Sequence, residues 1–318
     1  MYSVGTRCLA ALLLAGIAHA QDIPKDYGQP AVPRVVAYVR VSLRNGDLAS
    51  AEAMAKQYRR LNGDTPEALE ALSWVARGQL AAGRVDEAIQ QSEDIERSSH
   101  AALGTRTLDS EPHLPLALGA AYEVQAEALY SQHKLSEAIQ LLQSALRKFH
   151  GTSLVERLQK NINLMTLEGK RMPPLSTTEW IGVKGNPAAW QGKVLLLLFW
   201  AHWCADCKIQ VPVIAKLAAE FGSKGLVVVA PTERYGYTMD DDHAPPSKET
   251  AFIQKVFERY YSSIPNVRVP LDAANFERFG ASTTPTIALV DRRGIVKLYH
   301  PGLMDEASLV AALQPLLR

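Results

Sequence analysis

Two cysteines separated by two residues follow an unbroken aliphatic run, and this junction constrains the fold more than any other part of the chain. The run Val194–Phe199 is apolar at every position, which is typical of a central strand buried on both faces. Cys204 and Cys207 come next, ahead of a helical pattern over 208–221. The sequence therefore predicts a dithiol presented where a buried strand ends and a helix begins.

The spacing of the cysteines brings both sulfurs to one side of a helical turn, close enough to form a disulfide. Unpaired N–H groups and the positive end of the helix dipole favour a thiolate on the first cysteine. Cys204 is therefore the expected nucleophile. Cys207, one turn further along, is expected to resolve a mixed disulfide by attacking Cys204 and releasing the reduced substrate.

Three other uses of such a cysteine pair are weaker. A structural disulfide that closes so small a loop adds only about 2 kcal/mol in the entropic treatment. A zinc site needs four ligands, and the sequence has no second cysteine pair, only Cys8. Covalent haem attachment requires His after the second cysteine, where this chain has Lys208. We expect redox chemistry at the pair, with no cofactor and no metal.

The start of the chain has the pattern of a secretory signal. Arg7 precedes an apolar stretch over 8–18, about eleven residues, which is too short to span a bilayer comfortably. Small residues surround a cleavage position after Ala20. We expect 1–20 to be a signal peptide and the protein to be periplasmic, where disulfides persist. A retained membrane anchor is the alternative.

Charge excludes one class of partner. The chain has 34 Lys and Arg against 33 Asp and Glu, so its net charge is close to zero. A nearly neutral protein does not attract nucleic acid or an anionic membrane surface by bulk electrostatics. We therefore expect no nucleic-acid partner.

The segment 33–168 has a helical pattern rich in Ala, Leu, Glu and Gln. Turns at Gly46, Gly83 and His133 are each followed two residues later by an aliphatic residue and five later by alanine. Each unit is thus predicted to be helix, tight turn, helix. The pattern resembles a tetratricopeptide array, although the turns lie 37 and 50 residues apart, against about 34 in that family. The excess is predicted to be a long loop over 97–115, and an irregular helical bundle is the alternative.

The second half has a different pattern. Pro173-Pro174 within 169–176 predicts a linker. Beyond it, buried strands are predicted over 194–200 and 225–230, and a hairpin is predicted near the end. Strands that alternate with helices and finish in a hairpin indicate a mixed α/β sheet flanked by helices. The predicted helices cover 208–221, 249–261 and 306–317, and the hairpin strands cover 286–290 and 295–299.

The motif over 199–208, Phe-Trp-Ala-His-Trp-Cys-Ala-Asp-Cys-Lys, and Thr284-Pro285 ahead of an apolar strand carry a family resemblance. The segment 172–318 resembles the thioredoxin superfamily, most closely its exported TlpA-like disulfide reductases. The resemblance implies a thioredoxin-like sheet following an all-α helical-hairpin repeat domain. It also implies a cis bond before Pro285 and a groove where Trp203, Thr284 and Pro285 meet an extended client.

Departures from the family pattern bear on mechanism. Relatives often carry a buried acid or amide where this chain has Leu198, and Glu where it has Gln210, so the usual proton acceptors for Cys207 are missing. Asp206 lies between the cysteines, and its carboxylate is expected to raise the pKa of Cys204 unless it turns to solvent. A less stabilised thiolate makes the disulfide a poorer oxidant, which favours a reductase.

Other polar and aromatic residues of the second half have less specific patterns. We expect His202 at the surface, where a positive charge on it would oppose the effect of Asp206. The acidic run 240–242 with His243 resembles a cation-binding sequence, but the Ala-Pro-Pro that follows favours a solvated loop. Tyr235, Tyr237 and Tyr261 are candidates for the rim of the groove, with ordinary packing as the alternative.

The sequence as a whole predicts a periplasmic thiol–disulfide oxidoreductase. It would reduce disulfides of exported client proteins, and by resemblance its electrons would come from a membrane-embedded thiol donor. An oxidant or isomerase is the second hypothesis. The third is a helical-repeat protein-binding scaffold with an accessory thioredoxin domain.

Overall fold

The structure is a computed structural model that describes residues 32–318. The predicted signal peptide, with its cleavage position and Cys8, lies outside the described residues. The chain divides into two compact units between Leu158 and Gln159. The sequence-based boundaries, 33–168 and 172–318, remain predictions. Within the described part of the chain, no helix combines the length and apolar character needed to cross a membrane.

The first unit is helical throughout, as expected. Short local signals explain several helix starts: Thr65 caps the third helix through its side chain, and Pro66 occupies the first helical position. The predicted long loop over 97–115 is partly wrong, because the fourth helix continues to Leu103. The helices of this unit are α1 (Arg34–Arg44), α2 (Leu48–Asn62), α3 (Pro66–Ala81), α4 (Val85–Leu103), α5 (Leu114–Ser131) and α6 (Leu135–Lys148). The next helix, α7 (Leu154–Thr166), contains the division between the two units.

All three predicted hairpin turns adopt the same backbone geometry. Gly46, Gly83 and His133 have φ values of 75°, 78° and 63°, in the left-handed region. In each hairpin the N–H of this residue bonds the carbonyl three residues back, and the next N–H bonds the carbonyl five residues back. This is the Schellman arrangement that ends a helix and satisfies its last carbonyls. The repeated turn pattern in the sequence therefore corresponds to a repeated structure.

Small residues lie where the helices of the first unit approach one another. Ala51, Ala88 and Ala138, the alanines that recur after each turn, are fully buried. Within α3, a Cβ added to Gly78 would lie 2.6 Å from Cδ2 of Leu43. A methyl group would fit there only if the Leu43 side chain shifted, so the close approach of these helices is favoured by the absence of side-chain bulk.

We predict that His133→Gly stabilises the first unit. A residue with a Cβ in the left-handed region costs about 1–2 kcal/mol, and the greater freedom of glycine in the unfolded chain offsets part of that gain. The free energy of unfolding from urea denaturation, followed by far-UV circular dichroism, should rise by about 0.5–1 kcal/mol. Gly83→Ala, the reverse change at the equivalent turn, should lower it by about 1 kcal/mol. A loss of stability in His133→Gly would contradict the prediction.

The second unit is built on a four-stranded mixed sheet. The strands of this unit are β1 (Trp180–Ile181), β2 (Val194–Phe199), β3 (Leu226–Val229), β4 (Val269–Pro270), β5 (Thr286–Val290) and β6 (Val296–Pro301). The order in the sheet is β3-β2-β5-β6. β2 pairs parallel with β3 and antiparallel with β5, and β6 is antiparallel to β5. The fold class predicted for this half is thus confirmed. The helices are α8 (Ala205–Phe221), α9 (Pro246–Val256), α10 (Ala273–Phe279) and α11 (Glu306–Leu317), and a π-helical turn, Phe257–Tyr261, continues α9.

β2 is the central strand, and all six of its residues are buried. Leu196 and Leu198 belong to one hydrophobic core of the sheet, while Leu197 and Phe199 belong to the core on the other face. Because side chains alternate between the faces of a strand, only a continuous apolar run satisfies both cores. This explains the aliphatic run in the sequence.

The predicted linker is wrong over its first part. Gly169 donates its N–H to the carbonyl of Val296 at 2.8 Å, and Val296 donates to Lys170 at 2.9 Å. Met172 then donates to Gly294 at 2.9 Å. The segment therefore extends the β6 edge, because its backbone groups are free to pair until Pro173-Pro174 removes two donors.

Sequence patterning missed the shortest elements. β1 and β4 form a separate two-stranded ladder of two residues each, and α10 has only seven residues. Elements this short contain too few residues to show a helical or strand period. The caps that stabilise them are local all the same: Asp272 accepts a hydrogen bond from Ala274 at the start of α10.

Candidate active site

The two cysteines are joined by a disulfide at the start of α8, with their Cα atoms 5.3 Å apart. Cys204 is the N-cap residue of the helix, and its Sγ accepts the backbone N–H of Cys207 at 2.9 Å. Cys204 is 3% exposed and Cys207 fully buried. The helix begins at Ala205, earlier than predicted, so its unpaired N–H groups lie directly at Cys204. This placement favours negative charge on the Cys204 sulfur.

Trp200 fixes the point where β2 gives way to the cysteine motif. Its indole Nε1 donates to the carbonyl of Ala230 at 2.9 Å. Its own carbonyl accepts the hydroxyl of Thr232 at 2.8 Å, and its ring lies against Tyr261 with centroids 4.0 Å apart. The chain entering the motif is therefore held by the segment after β3 and by the π-helical turn. Tyr261 is fully buried, so it packs in the core and does not line a rim.

Thr284-Pro285 reaches the same end of the sheet as the disulfide. The peptide bond between them is cis, as the resemblance implied. Pairing of β2 with β5 places Thr286 opposite Phe199, so Thr284 lies just beyond the strand end from which the motif emerges. The buried Oγ1 of Thr284 and Nε1 of Trp203 have no hydrogen-bond partner among the described residues.

The prediction that His202 lies at the surface is wrong, because its side chain is 3% exposed. The rings of Tyr235, Tyr237 and Phe252 stand edge-on to it, with centroids 5.6, 5.1 and 5.2 Å away. Those rings come from a segment after β3 and from α9, distant in sequence, so no local pattern around His202 could show the burial. Of the candidate rim residues, Tyr235 remains partly exposed, while Tyr237 is buried.

His202 is a neutral imidazole at pH 7. Burial lowers its pKa to about 4, and the nearby ammonium of Lys208 acts in the same direction. Its Nε2 lies 3.3 Å from Oε1 of Glu249, but the pair lacks hydrogen-bond geometry. His202 therefore carries no positive charge that would oppose Asp206.

The positions that differ from the family pattern contain no carboxylate. Leu198 is fully buried. Gln210 is also buried. Its side-chain amide accepts the backbone N–H of Met304 at 2.8 Å and donates to the carbonyl of Met304 at 3.0 Å. Gln210 thus anchors the chain ahead of α11. Asp206 lies in the first turn of α8 and is partly exposed.

Lys208, directly after Cys207, is a half-buried cation beside the motif. Its Nζ lies 5.0 Å from the centre of the Tyr260 ring, on which Arg259 also packs at 5.2 Å. Burial, and then the charge of Arg259, lower the pKa of Lys208.

The acidic run 240–242 is an exposed turn held by its own contacts. Asp240 accepts the hydroxyl of Thr238 at 2.7 Å, Asp241 accepts Lys248 at 2.9 Å, and the N–H of His243 bonds Asp241 at 3.0 Å. Across residues 32–318, no group of three or more His, Cys, Asp or Glu residues is arranged to hold a metal ion.

Comparison with known proteins concerns the second half of the chain. Residues 167–313 match the model of the Redoxin family. The thioredoxin-like protein YneN of Bacillus subtilis is 25% identical over 139 residues, which is 44% of this chain and 74% of YneN. The thiol-disulfide oxidoreductase ResA of Bacillus thuringiensis subsp. konkukian is 27% identical over 40% of this chain and 66% of ResA. The thiol:disulfide interchange protein DsbE of Pseudomonas fluorescens is 29% identical over 36% of this chain and 56% of DsbE.

Among solved structures, a thiol-disulfide isomerase of Corynebacterium glutamicum has a TM-score of 0.40 and 18% identity, covering 47% of this chain and 96% of its own. The exposed lipoprotein thioredoxin of Streptococcus pneumoniae has a TM-score of 0.33 and 24% identity, and the match covers 41% of this chain and 89% of that protein.

The family match and the sequence relatives define the class of the second half of the chain. It is thioredoxin-like, of the Redoxin and thioredoxin-like superfamily, with ResA-like and DsbE-like homologues. The predicted enzyme class, thiol–disulfide oxidoreductase, is the class of those homologues.

We predict a pH dependence of stability that belongs to His202. Its pKa in the folded protein, about 4, lies below the value of about 6.5 in an unfolded chain. The stability from burying neutral His202 is therefore fully present above pH 6.5 and is lost as pH falls toward 4. Between pH 7.5 and pH 5, wild type should lose about 2 kcal/mol more than His202→Phe in urea unfolding followed by tryptophan emission. Parallel losses in the two proteins would contradict this.

Proposed function

We propose that the protein is a periplasmic thiol–disulfide oxidoreductase that reduces disulfides in exported client proteins. The observation that carries the proposal is the Cys204–Cys207 disulfide at the start of α8, at the same end of the sheet as cis Thr284-Pro285. Trp203, Thr284 and Pro285 would line the groove, where an extended client segment can pair with the backbone at Thr284.

The reaction starts from the dithiol form. The Cys204 thiolate attacks one sulfur of the client disulfide, so that a Cys204–client bond forms and the other client sulfur leaves as a thiolate and takes up a proton. Cys207 loses its proton and attacks Sγ of Cys204. The second client thiolate then departs, and the Cys204–Cys207 disulfide remains. Two electrons pass to the client, and a dithiol donor, proposed to be membrane-embedded, restores the starting form.

The proton of Cys207 must leave through a group other than a neighbouring carboxylate. Leu198 and Gln210 occupy the positions where an acid would serve, and His202 is buried against aromatic rings. The departing client thiolate, or water that enters with the client, is the acceptor consistent with this arrangement. Resolution is therefore proposed to be coupled to the presence of the client.

The cysteine variants test the assignment. With dithiothreitol as the reductant, Cys204→Ser should no longer catalyse the reduction of insulin disulfides, because the attacking sulfur is gone. Cys207→Ser should retain attack and accumulate a mixed disulfide, detected as a mass adduct on Cys204. Ser282→Ala, a change at an exposed position near the cis peptide, serves as the control and should behave as wild type. Full activity in Cys204→Ser would refute the proposed chemistry.

The direction of electron flow is tested by the reduction potential of the cysteine couple. Asp206 should disfavour the Cys204 thiolate, which predicts a potential near or below that of thioredoxin, about −270 mV. Asp206→Asn should raise it by roughly 10–30 mV, since 30 mV corresponds to about 1.4 kcal/mol for two electrons. Glu220→Gln, in the last turn of α8, should leave it unchanged. A wild-type value toward about −120 mV would favour the oxidant or isomerase.

The helical unit supports a second candidate function, protein binding. Its three hairpins share one turn geometry, and on this basis we propose a tetratricopeptide-like array that holds the client or another partner. Tyr38 and Val41, three residues apart on one face of α1, are exposed at 60% and 43%. A scaffold whose thioredoxin-like half is accessory would keep its biological role in Cys204→Ser, whereas an oxidoreductase would lose it.

A further inference from the structure

One buried carboxylate fastens the segment between β3 and α9 next to the cysteine motif. Glu249, in the first turn of α9, is 1% exposed. Its Oε1 accepts the backbone N–H of Tyr235, and its Oε2 accepts the N–H of Gly236 at 2.8 Å. These two bonds fix the turn that carries the Tyr235 ring. A carboxylate is buried this deeply only where such donors replace its water.

The same carboxylate also contacts the cysteine motif. Nε2 of His202 lies 3.3 Å from Oε1 of Glu249, and the imidazole stands edge-on to Tyr235 and Tyr237. His202 is two residues before Cys204. Glu249 therefore touches both the segment after β3 and the chain that leads into the nucleophile.

Trp203 completes the arrangement. Its ring meets that of Tyr235 edge to face, with centroids 5.5 Å apart. The ring of Phe276 also stands edge to face with Tyr235, with centroids 6.5 Å apart. Tyr235 is thus held through its backbone by Glu249 and through its ring by His202, Trp203 and Phe276. Both Trp203 and Tyr235 remain partly exposed. Together these two rings form a continuous surface, here called the aromatic wall, that begins one residue before Cys204.

We propose that Glu249 and His202 are positioning residues that fix the aromatic wall, and that the wall makes the enzyme prefer disulfides flanked by apolar protein side chains. The inference rests on the proposed function. Rigid aromatic rings bury large apolar area with little loss of side-chain freedom, so they favour a polypeptide over a small polar disulfide such as glutathione disulfide. Glu249 and His202 act through Tyr235 and Trp203, not on the sulfurs.

This division of roles predicts a specific kinetic pattern. The helix start and the residues flanking the cysteines govern the sulfur chemistry, so loosening the wall should weaken client binding and leave the potential of the couple within a few millivolts. The KM for a protein disulfide should rise while kcat changes little. The effect on a small disulfide, which covers little of the wall, should be much smaller.

The experiment uses the full chain with dithiothreitol as reductant and two substrates, insulin and glutathione disulfide. Glu249→Gln keeps the shape of the side chain but replaces one carboxylate oxygen with an NH2 group. That group cannot accept the hydrogen bond of the backbone N–H it faces. We expect KM for insulin to rise about ten-fold, at least five-fold more than for glutathione disulfide. Glu258→Gln, an exposed change in the π-helical turn, is the matched control and should match wild type. His202→Ser should reproduce the insulin effect, and His202→Phe, which retains the ring contacts, should recover most of it.

Equal losses on both substrates, a shifted reduction potential, or no change in KM would each overturn the proposal. If Glu249→Gln does not fold by circular dichroism, Tyr235→Leu decides the matter, because Tyr235 is partly exposed and its loss removes the wall itself. An unchanged insulin KM in Tyr235→Leu would also overturn the proposal. Failure of the proposed function is distinguishable: wild type would then reduce insulin no faster than Cys204→Ser, whereas failure of the positioning inference leaves wild type active.

Discussion

Burial of β2 on both faces is the constraint from which the rest of the second unit follows. Each aliphatic side chain removed from water contributes about 2 kcal/mol, and alternate residues of this strand enter different cores. The position of the C-terminal end of β2 within the sheet is therefore fixed by the packing of both faces. The hydrogen bonds of Trp200 to Ala230 and Thr232 hold it there, and Cys204 emerges at the start of α8 with little freedom to move.

The electrostatics of the site come from few groups. The helix start favours a thiolate on Cys204, and we propose that Asp206 in the first turn opposes it. His202 contributes no charge at pH 7, since its burial keeps it neutral. The cores around Cys207 provide no carboxylate at Leu198 or Gln210. On the mechanism we propose, the departing client thiolate, or water that enters with the client, accepts the proton of Cys207.

Sequence reasoning succeeded where a physical signal is local. The continuous apolar run located β2, and the repeated turn residues located three hairpins, including one in which His133 adopts the left-handed backbone usually given to glycine. It failed where the deciding contacts come from distant segments. Pro173-Pro174 suggested a linker, but Gly169 pairs with β6 more than a hundred residues away in the chain. The burial of His202 depends likewise on rings contributed by later segments.

The sequence by itself determined the helical first half, the mixed sheet of the second half, and the dithiol at a strand-to-helix junction. These follow from periodicity, turn chemistry and cysteine spacing, which act between neighbours in the chain. Only the tertiary structure decided that Thr284-Pro285 lies at the same end of the sheet as the disulfide. It also decided that Glu249 contacts both His202 and the backbone N–H of Tyr235. Such contacts arise because burying a polar group requires a partner, and the fold, not the local sequence, brings that partner into place.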